Sequence, residues 1–181
     1  MFEEPNLQEA GSRFAIVGPS VSEADIDAIF ATSFPGKDDL VQFYLRYNGG
    51  SRSPQGCIMS CGNPAHKTSR DDLDNLKVDG FMSVSLDPSD RMLPFRPIGR
   101  HRASMLETYA EIPEMKEFYE QHISLAFGHS GEDLCVSLKF GSVWYMDYKE
   151  YKKGAIEISP SFREFVLKYW IHAEPFHLSE H

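Results

Sequence analysis

The sequence contains few cysteines, no long apolar run and no excess of basic residues. Its three cysteines, Cys57, Cys61 and Cys135, are too few and odd in number for a disulfide framework, which favours a reducing compartment. No apolar run approaches the ~20 residues that a membrane-spanning helix needs. The first residues carry acids and lack the apolar segment of a secretory signal. We therefore expect a cytoplasmic protein with no membrane partner.

Basic residues are outnumbered, and this narrows the class of partner. Eighteen lysines and arginines face 27 aspartates and glutamates, giving a formal net charge of −9. Nucleic acid and anionic lipid are polyanions, so the charge argues against both. It favours a basic protein partner, whose approach such a field accelerates. The alternative is that the charge serves only to keep the protein soluble.

The composition is that of a globular chain with one core. Hydrophobic residues make up 41% and aromatic residues 13% of the 181 residues. A chain of this length defaults to one domain. We predict a single domain over 1–181, with a loosely ordered lead-in at 1–19 and a C-terminal tail at 171–181.

Two helices are predicted near the N-terminus. Ser20 with Glu23 three residues later matches the capping-box pattern, and apolar residues then recur at helical spacing through Phe30. A Pro35-Gly36 break precedes a second helix that starts at 37–39. Asn48-Gly49-Gly50 ends it, since Asn and Gly tolerate left-handed backbone. This triplet is better interpreted as a helix stop than as a phosphate loop, because carbonyls, not N–H groups, point out of that end.

The middle of the chain is less regular. A short strand is predicted at 56–60, a polar loop at 62–75 and a strand at 78–86. Residues 91–102 hold three turn-forming residues and are expected to be irregular. Residues 104–122 have helical periodicity, and Pro113 either kinks that helix or splits it in two.

The last third predicts a β-meander closed by a helix. Apolar and polar residues alternate over 123–127 and again over 134–138, as half-buried strands do. A third strand at 143–148 and a fourth around 156–158 follow. On the third strand we expect Trp144 and Met146 to face the core. Ser159 is predicted to cap a closing helix that begins at Pro160.

Two sets of residues suggest a metal site and a catalytic site, but neither set has the spacing or the local structure that such a site requires. Cys57, Cys61 and His66 are donor types for zinc, but their spacing is loose and a fourth ligand has to be borrowed. Ser130 lies in a Gly-His-Ser-Gly run, yet a nucleophile elbow joins a strand to a helix, whereas this run joins two strands. We predict idle thiols, a β-turn, no metal and no cofactor.

The chain resembles the SUKH superfamily of yeast cell-wall-assembly regulators and bacterial immunity proteins. The resemblance is carried by the helix–break–helix segment that ends in Asn48-Gly49-Gly50, by Val78-Asp79-Gly80-Phe81, and by the meander through Ser161-Phe162-Arg163-Glu164-Phe165. It implies an α+β fold with a central, mostly antiparallel sheet and helices packed around it. It also implies a role without catalysis, in which a bacterial member binds a cognate toxin and masks its active site.

Charge is unevenly distributed along the chain. Residues 71–90 hold six aspartates and one lysine, a net of −5, whereas residues 91–102 hold four arginines and no acid, a net of +4. One interpretation is a pair of solvated loops that neutralise each other. The other is an acidic rim that mimics phosphates and docks into a basic cleft, such as that of a nuclease toxin. The candidate partner-binding residues are Asp71, Asp72, Asp74, Asp87, Asp90, Glu132, Asp133, Tyr145 and Asp147.

From these observations we expect an immunity protein that neutralises a cognate bacterial toxin by occluding its active site. The alternative is an intracellular scaffold or regulatory interaction domain, as the eukaryotic relatives suggest. An enzyme or a zinc protein is the third hypothesis. The sequence leaves the toxin's chemistry, the binding surface and the oligomeric state undetermined.

Overall fold

A computed structural model describes residues 14, 16–51, 57–59, 76–84, 96–128, 132–170 and 174–175. Two helices come first: α1 (Glu23–Ile29) and α2 (Lys37–Arg46). The predicted capping box exists, but two residues later than expected. Ser22 accepts from the backbone N–H of Asp25, and the Asp25 carboxylate accepts from the Ser22 N–H in return.

The central sheet has seven strands, and every pairing in it is antiparallel. In spatial order the strands are β1 (Ile16–Val17), β2 (Gly50–Ser51), β5 (Gly80–Phe81), β6 (His122–Phe127), β7 (Glu132–Ser137), β8 (Val143–Asp147) and β9 (Ile156–Ser159). Residues 16–17 therefore belong to the sheet, although the sequence placed them in the lead-in. The α+β prediction with a mostly antiparallel sheet is confirmed.

The structure also contains a second, three-stranded sheet. It consists of β3 (Cys57–Met59), β4 (Leu76–Val78) and β10 (Glu174–Pro175), with β3 in the middle. The single strand predicted at 78–86 is thus two short strands in different sheets. Residues 174–175 pair with β3, so part of the predicted tail is a strand.

The predicted helix at 104–122 is two helices, α3 (Ile98–Thr108) and α4 (Pro113–Gln121). Pro113 occupies the first turn of α4, where its missing N–H costs nothing. The expectation of irregular structure at 98–102 was wrong, because Pro97 acts there as a helix start and not as a loop residue. The Arg102 guanidinium donates to the Glu120 carbonyl at 3.1 Å, which fastens α3 to the end of α4.

After β8 the chain turns through a 3-10 helix (Tyr148–Lys153) into β9. The closing helix begins as α5 (Phe162–Glu164) and continues as π-helical turns over Phe165–Trp170. Its cap is Ser161, whose hydroxyl accepts from the Glu164 N–H at 3.1 Å. The cap predicted at Ser159 was wrong: that hydroxyl donates to the Ser161 carbonyl instead.

Helices cover both faces of the central sheet. On the first face, an apolar cluster joins the sheet to α1, α2 and the closing helix, and Phe43 at its centre packs against Phe81 and Phe162. On the second face, Cys135 and Met146 pack against Met115 and Tyr119 of α4. The alternation predicted for β6 and β7 is present, but the strands are not half-buried, because α3 and α4 cover the polar side.

The Asn48-Gly49-Gly50 segment is a structural joint, as its interpretation as a helix stop predicts. Asn48 is 2% exposed, and its amide nitrogen donates to the carbonyls of Pro19 and Val84. Its oxygen accepts from the Val84 N–H at 2.6 Å. At Gly49, φ is +75° and a Cβ would lie 2.9 Å from the Met82 carbonyl oxygen. The segment therefore ties α2 to the strand region after β5.

Candidate functional site

The predicted partner-binding residues do not form one rim in the described structure. Asp71, Asp72, Asp74, Asp87 and Asp90 lie outside the described residues. Glu132 and Asp147 are opposite each other at the ends of β7 and β8 and are partly exposed. Asp147 caps the 3-10 helix by accepting from the Lys149 N–H at 2.8 Å.

The other two predicted contact residues are buried. Asp133 is 0% exposed and Tyr145 is 8% exposed, so the expectation that they lie on an exposed surface was wrong. Asp133 was assigned to a turn, but β7 already begins at Glu132. Tyr145 lies directly opposite Leu134, and residues opposite one another share a sheet face, so it joins the apolar cluster. Trp144 and Met146 consequently face α3 and α4.

Asp133 is the centre of a buried hydrogen-bond network. Its Oδ2 lies 2.7 Å from His101 Nε2, and it accepts from the hydroxyls of Ser124 at 2.8 Å and Tyr119 at 3.1 Å. Its Oδ1 accepts from the Tyr148 hydroxyl at 2.9 Å. Since an ionised carboxylate only accepts, Nε2 must carry the His101 proton. Four donors thus satisfy one buried carboxylate, as burial of a charge requires.

The five residues of this network come from five elements. His101 is on α3, Tyr119 on α4, Ser124 on β6, Asp133 on β7 and Tyr148 on the 3-10 helix. The network therefore fixes where the α3–α4 pair lies on the sheet. Hydrogen bonds have strict geometry, so they specify one arrangement of the helices in a way that apolar contact alone does not.

The same burial changes the ionisation of the surrounding groups. Desolvation, reinforced by the negative charge of Asp133, raises the pKa of the Tyr148 hydroxyl above its ordinary value. Burial also raises the pKa of Tyr119, and it raises that of the Cys135 thiol well above its usual range. Both tyrosines remain protonated donors at physiological pH. Cys135 remains a thiol, which is the unreactive form.

The network has the components of a catalytic triad but not its arrangement. In a triad the histidine bonds the nucleophilic hydroxyl and the carboxylate orients the histidine. Here the Ser124 hydroxyl donates to the carboxylate itself, which occupies the position that the base would need. The geometry therefore supports a structural role for Asp133, His101 and Ser124.

The α3–α4 pair carries an acidic surface that the sequence interpretation missed. Between residues 107 and 120, five glutamates and one lysine give a net charge of −4, and all six side chains are exposed. We call this surface the acidic helical face; its glutamates are Glu107, Glu111, Glu114, Glu117 and Glu120. The sequence pattern does indicate such a surface, because the acids alternate with Met115 and Tyr119, the buried residues of an amphipathic helix.

Most of the residues considered for a zinc site or a nucleophile lie outside the described residues. Cys61, His66 and Ser130 lie outside them, and of Cys57 only the backbone strand is described. Within the described ranges, no group of three or more His, Cys, Asp or Glu side chains is placed to hold a metal ion. No described helix is both long and apolar enough to cross a membrane.

Comparison with known proteins identifies the family. The family model described as SMI1 / KNR4 family (SUKH-1) matches residues 21–168. The chain belongs to this family. The match contains the helix pair α1–α2, the strands β5 to β9 and the whole Asp133 network. It confirms the SUKH resemblance and the fold that the resemblance implies. No curated protein and no solved structure matches the chain.

Sequence reasoning missed the network because its members are far apart in the chain. His101 and Asp133 are separated by 32 residues, and Tyr148 follows 15 residues after Asp133. One hint existed: Asp133, Cys135 and Ser137 form a polar row on a strand in the middle of the sheet. Nothing local in the sequence shows that helices cover this face, so a half-buried strand was predicted here and Asp133 was predicted in the turn before it.

Proposed function

We propose that this SUKH family protein is an immunity protein that binds a cognate bacterial toxin in the cytoplasm and occludes its active site without catalysis of its own. Family membership carries the proposal, because SUKH proteins are generally non-catalytic immunity proteins. The charge of the chain supports a basic partner, and a basic nuclease domain is the partner class that fits it best.

The acidic helical face is the surface that we assign to the toxin. Its glutamates lie on two helices and on the turn that joins them, and the Asp133 network holds both helices in place on the sheet. A rigid surface binds with less loss of conformational freedom than a flexible one. Clustered carboxylates accelerate encounter with a basic cleft, and this acceleration decreases with salt. The five aspartates predicted between 71 and 90 remain candidates for the same interface.

Electrostatics alone would not make the complex tight enough. A dissociation constant near ~1 nM corresponds to about −12 kcal/mol, which requires a few well-packed anchors besides the steering charges. Phe140 is the one exposed large hydrophobic side chain of the described residues, at 59% exposure, and it lies in the turn between β7 and β8. It is therefore a candidate anchor for a partner.

The direct test is co-expression with the toxin domain encoded beside this protein's gene. We expect the protein to restore growth of cells that express the toxin. A second expression of the toxin with an unrelated SUKH protein controls for general effects of overexpression. Continued killing by every adjacent candidate toxin would show that the immunity assignment is wrong.

The assignment of the surface has its own test. Glu114→Gln with Glu117→Gln removes two charges from the acidic helical face, and Glu23→Gln with Asp38→Asn removes two from exposed first-turn positions of α1 and α2. We expect the first pair to slow toxin association by about three- to tenfold at low salt and the second pair to leave it nearly unchanged. Equal effects of the two pairs on the association rate would mean that the toxin does not bind at the acidic helical face.

A regulatory interaction domain is the second candidate. The description of the matching family includes the names SMI1 and KNR4 besides SUKH-1, and the superfamily that the chain resembles includes yeast regulators. Affinity purification from the native cell distinguishes the two. An immunity protein is expected to bring down one toxin, whereas a regulatory scaffold would bring down several cellular proteins and fail to neutralise a toxin.

A further inference from the structure

A cavity of about 340 Å³ lies between α3, with the two residues before it, and Tyr148 of the 3-10 helix. The described residues that define its chemistry are Arg96, Arg100, His101, Ser104, Met105 and Tyr148. Its volume falls at the lower end of the range for small-molecule sites, which begins at roughly 300 Å³. It adjoins the Asp133 network, since His101 and Tyr148 belong to both.

The cavity is basic although the chain is acidic. The Arg96 guanidinium lies 5.1 Å from the centre of the Phe127 ring, which holds it beside the cavity. Arg100 follows on the first turn of α3 and is exposed. Within the described residues, neither arginine forms an ion pair with a carboxylate. Two guanidinium groups therefore remain available to an anion.

Among the described residues, Asp133 behind the cavity wall offsets only one of the two guanidinium charges. Asp133 is fully buried behind His101 and Tyr148, and both of its oxygens already accept hydrogen bonds. The cavity wall itself presents the donors of Ser104 and Arg100, with the thioether of Met105 as its apolar part. Guanidinium groups bind planar or tetrahedral oxyanions through paired N–H donors.

We propose that this cavity binds a small organic molecule that carries a phosphate or carboxylate group. Arg96 and Arg100 would hold the oxyanion, Ser104 would donate a further hydrogen bond, and the body of the molecule would lie against Met105 and Tyr148. The site goes beyond toxin binding, and none of the glutamates of the acidic helical face line it. It would make this SUKH protein a binder of a metabolite-sized anion as well as of a protein.

Calorimetric titration of the full chain at constant ionic strength tests the proposal with three probes that share one aromatic body: phenyl phosphate, benzoate and benzyl alcohol. We expect saturable binding of at least one anion with a dissociation constant below about 1 mM, and none of the neutral alcohol. Phenyl phosphate alone would identify a phosphate site, and benzoate alone a carboxylate site.

Substitutions locate the binding. Arg100→Gln is expected to weaken it at least tenfold, and Ser104→Ala, which changes no charge, at least twofold. Arg46→Gln, at the end of α2, removes the same charge on the other side of the sheet and should leave the affinity within twofold. Circular dichroism confirms that each variant is folded, which is expected because these arginines are exposed.

Two results would overturn the site. One is the absence of saturable binding of both anions to the unaltered protein. The other is equal weakening by Arg100→Gln and Arg46→Gln, which would reduce the effect to general charge. Neither result bears on neutralisation of a toxin, so the cavity and the immunity assignment stand or fall separately.

Discussion

The two faces of the central sheet are both buried, but they are built from different chemistry. On the face toward α1, α2 and the closing helix, neighbouring strands contribute Val136, Val143 and Leu134 to a continuous apolar cluster. On the face toward α3 and α4, β7 contributes Asp133 and Cys135, and β8 contributes Met146. Consecutive residues of β7 thus enter an apolar core and a polar network in turn.

The difference shows that the apolar face supplies most of the stability of this fold, whereas the polar face determines the placement of α3 and α4. Each fully buried Val, Leu or Phe of the apolar face contributes roughly 1.5–3 kcal/mol, with little dependence on its exact orientation. The polar face contributes less net energy but permits only one placement of its donors around Asp133. The surface that we assign to the toxin lies on the α3–α4 pair, and the cavity lies between α3 and the 3-10 helix, so both are on the polar side.

The largest effect is expected from Asp133→Ala. The substitution leaves the donors of His101, Tyr119, Ser124 and Tyr148 buried without their acceptor, at a cost of about 3–5 kcal/mol in the free energy of unfolding. Urea denaturation measures it. Asp147→Ala, on the next strand, removes only a partly exposed cap and should cost about 0.5–1 kcal/mol. Similar losses for the two would mean that the network does not hold the helices.

A pair of shape-conserving substitutions compares the faces at adjacent residues. Asp133→Asn keeps the shape but directs amide hydrogens at existing donors, so we expect a loss of about 2–3 kcal/mol. Leu134→Met, one residue along and 1% exposed, should cost less than about 1.5 kcal/mol because an apolar face adapts to a flexible side chain. If Leu134→Met is the more costly of the two, the proposed contrast between the faces is wrong.

The smallest effect concerns pH and His122, also on the polar face. Its Nδ1–H donates to the Phe118 carbonyl at 2.9 Å, while its Nε2 is buried without a partner. Burial lowers the pKa of this histidine below the ordinary value of 6.5. Between the two values the unfolded chain binds more protons, so stability rises with pH and is lost as pH falls below 6.5.

His122→Asn provides the comparison for this pH dependence. Asparagine keeps an N–H donor for the Phe118 carbonyl but does not titrate. We expect the slope of unfolding free energy against pH, measured between pH 5 and 7, to become shallower by at most ~1.4 kcal/mol per pH unit. An unchanged slope would show that other groups account for the acid sensitivity.

The sequence predicted the apolar face better than the polar face, for a physical reason. Local patterns predicted the helices, the meander and the helix stop at Asn48, because periodicity and turn residues act within a few positions, and the family resemblance implied the antiparallel central sheet. The polar side of the sheet is buried only because α3 and α4 pack against it, and this packing joins segments that are distant in the sequence. Asp133 was therefore predicted to be exposed, and the acidic helical face was not recognised. Tyr145 lies on the apolar face and was predicted on the wrong side of β8, because residues 143–146 are all apolar and show no alternation.

The central claim, that this protein masks the active site of a toxin, is tested most directly by titrating the activity of its purified toxin with the purified protein. We predict that activity falls linearly to the background level at one equivalent, as a tight one-to-one complex requires. A stable complex in which the toxin keeps its activity, or the absence of any complex, would contradict the account.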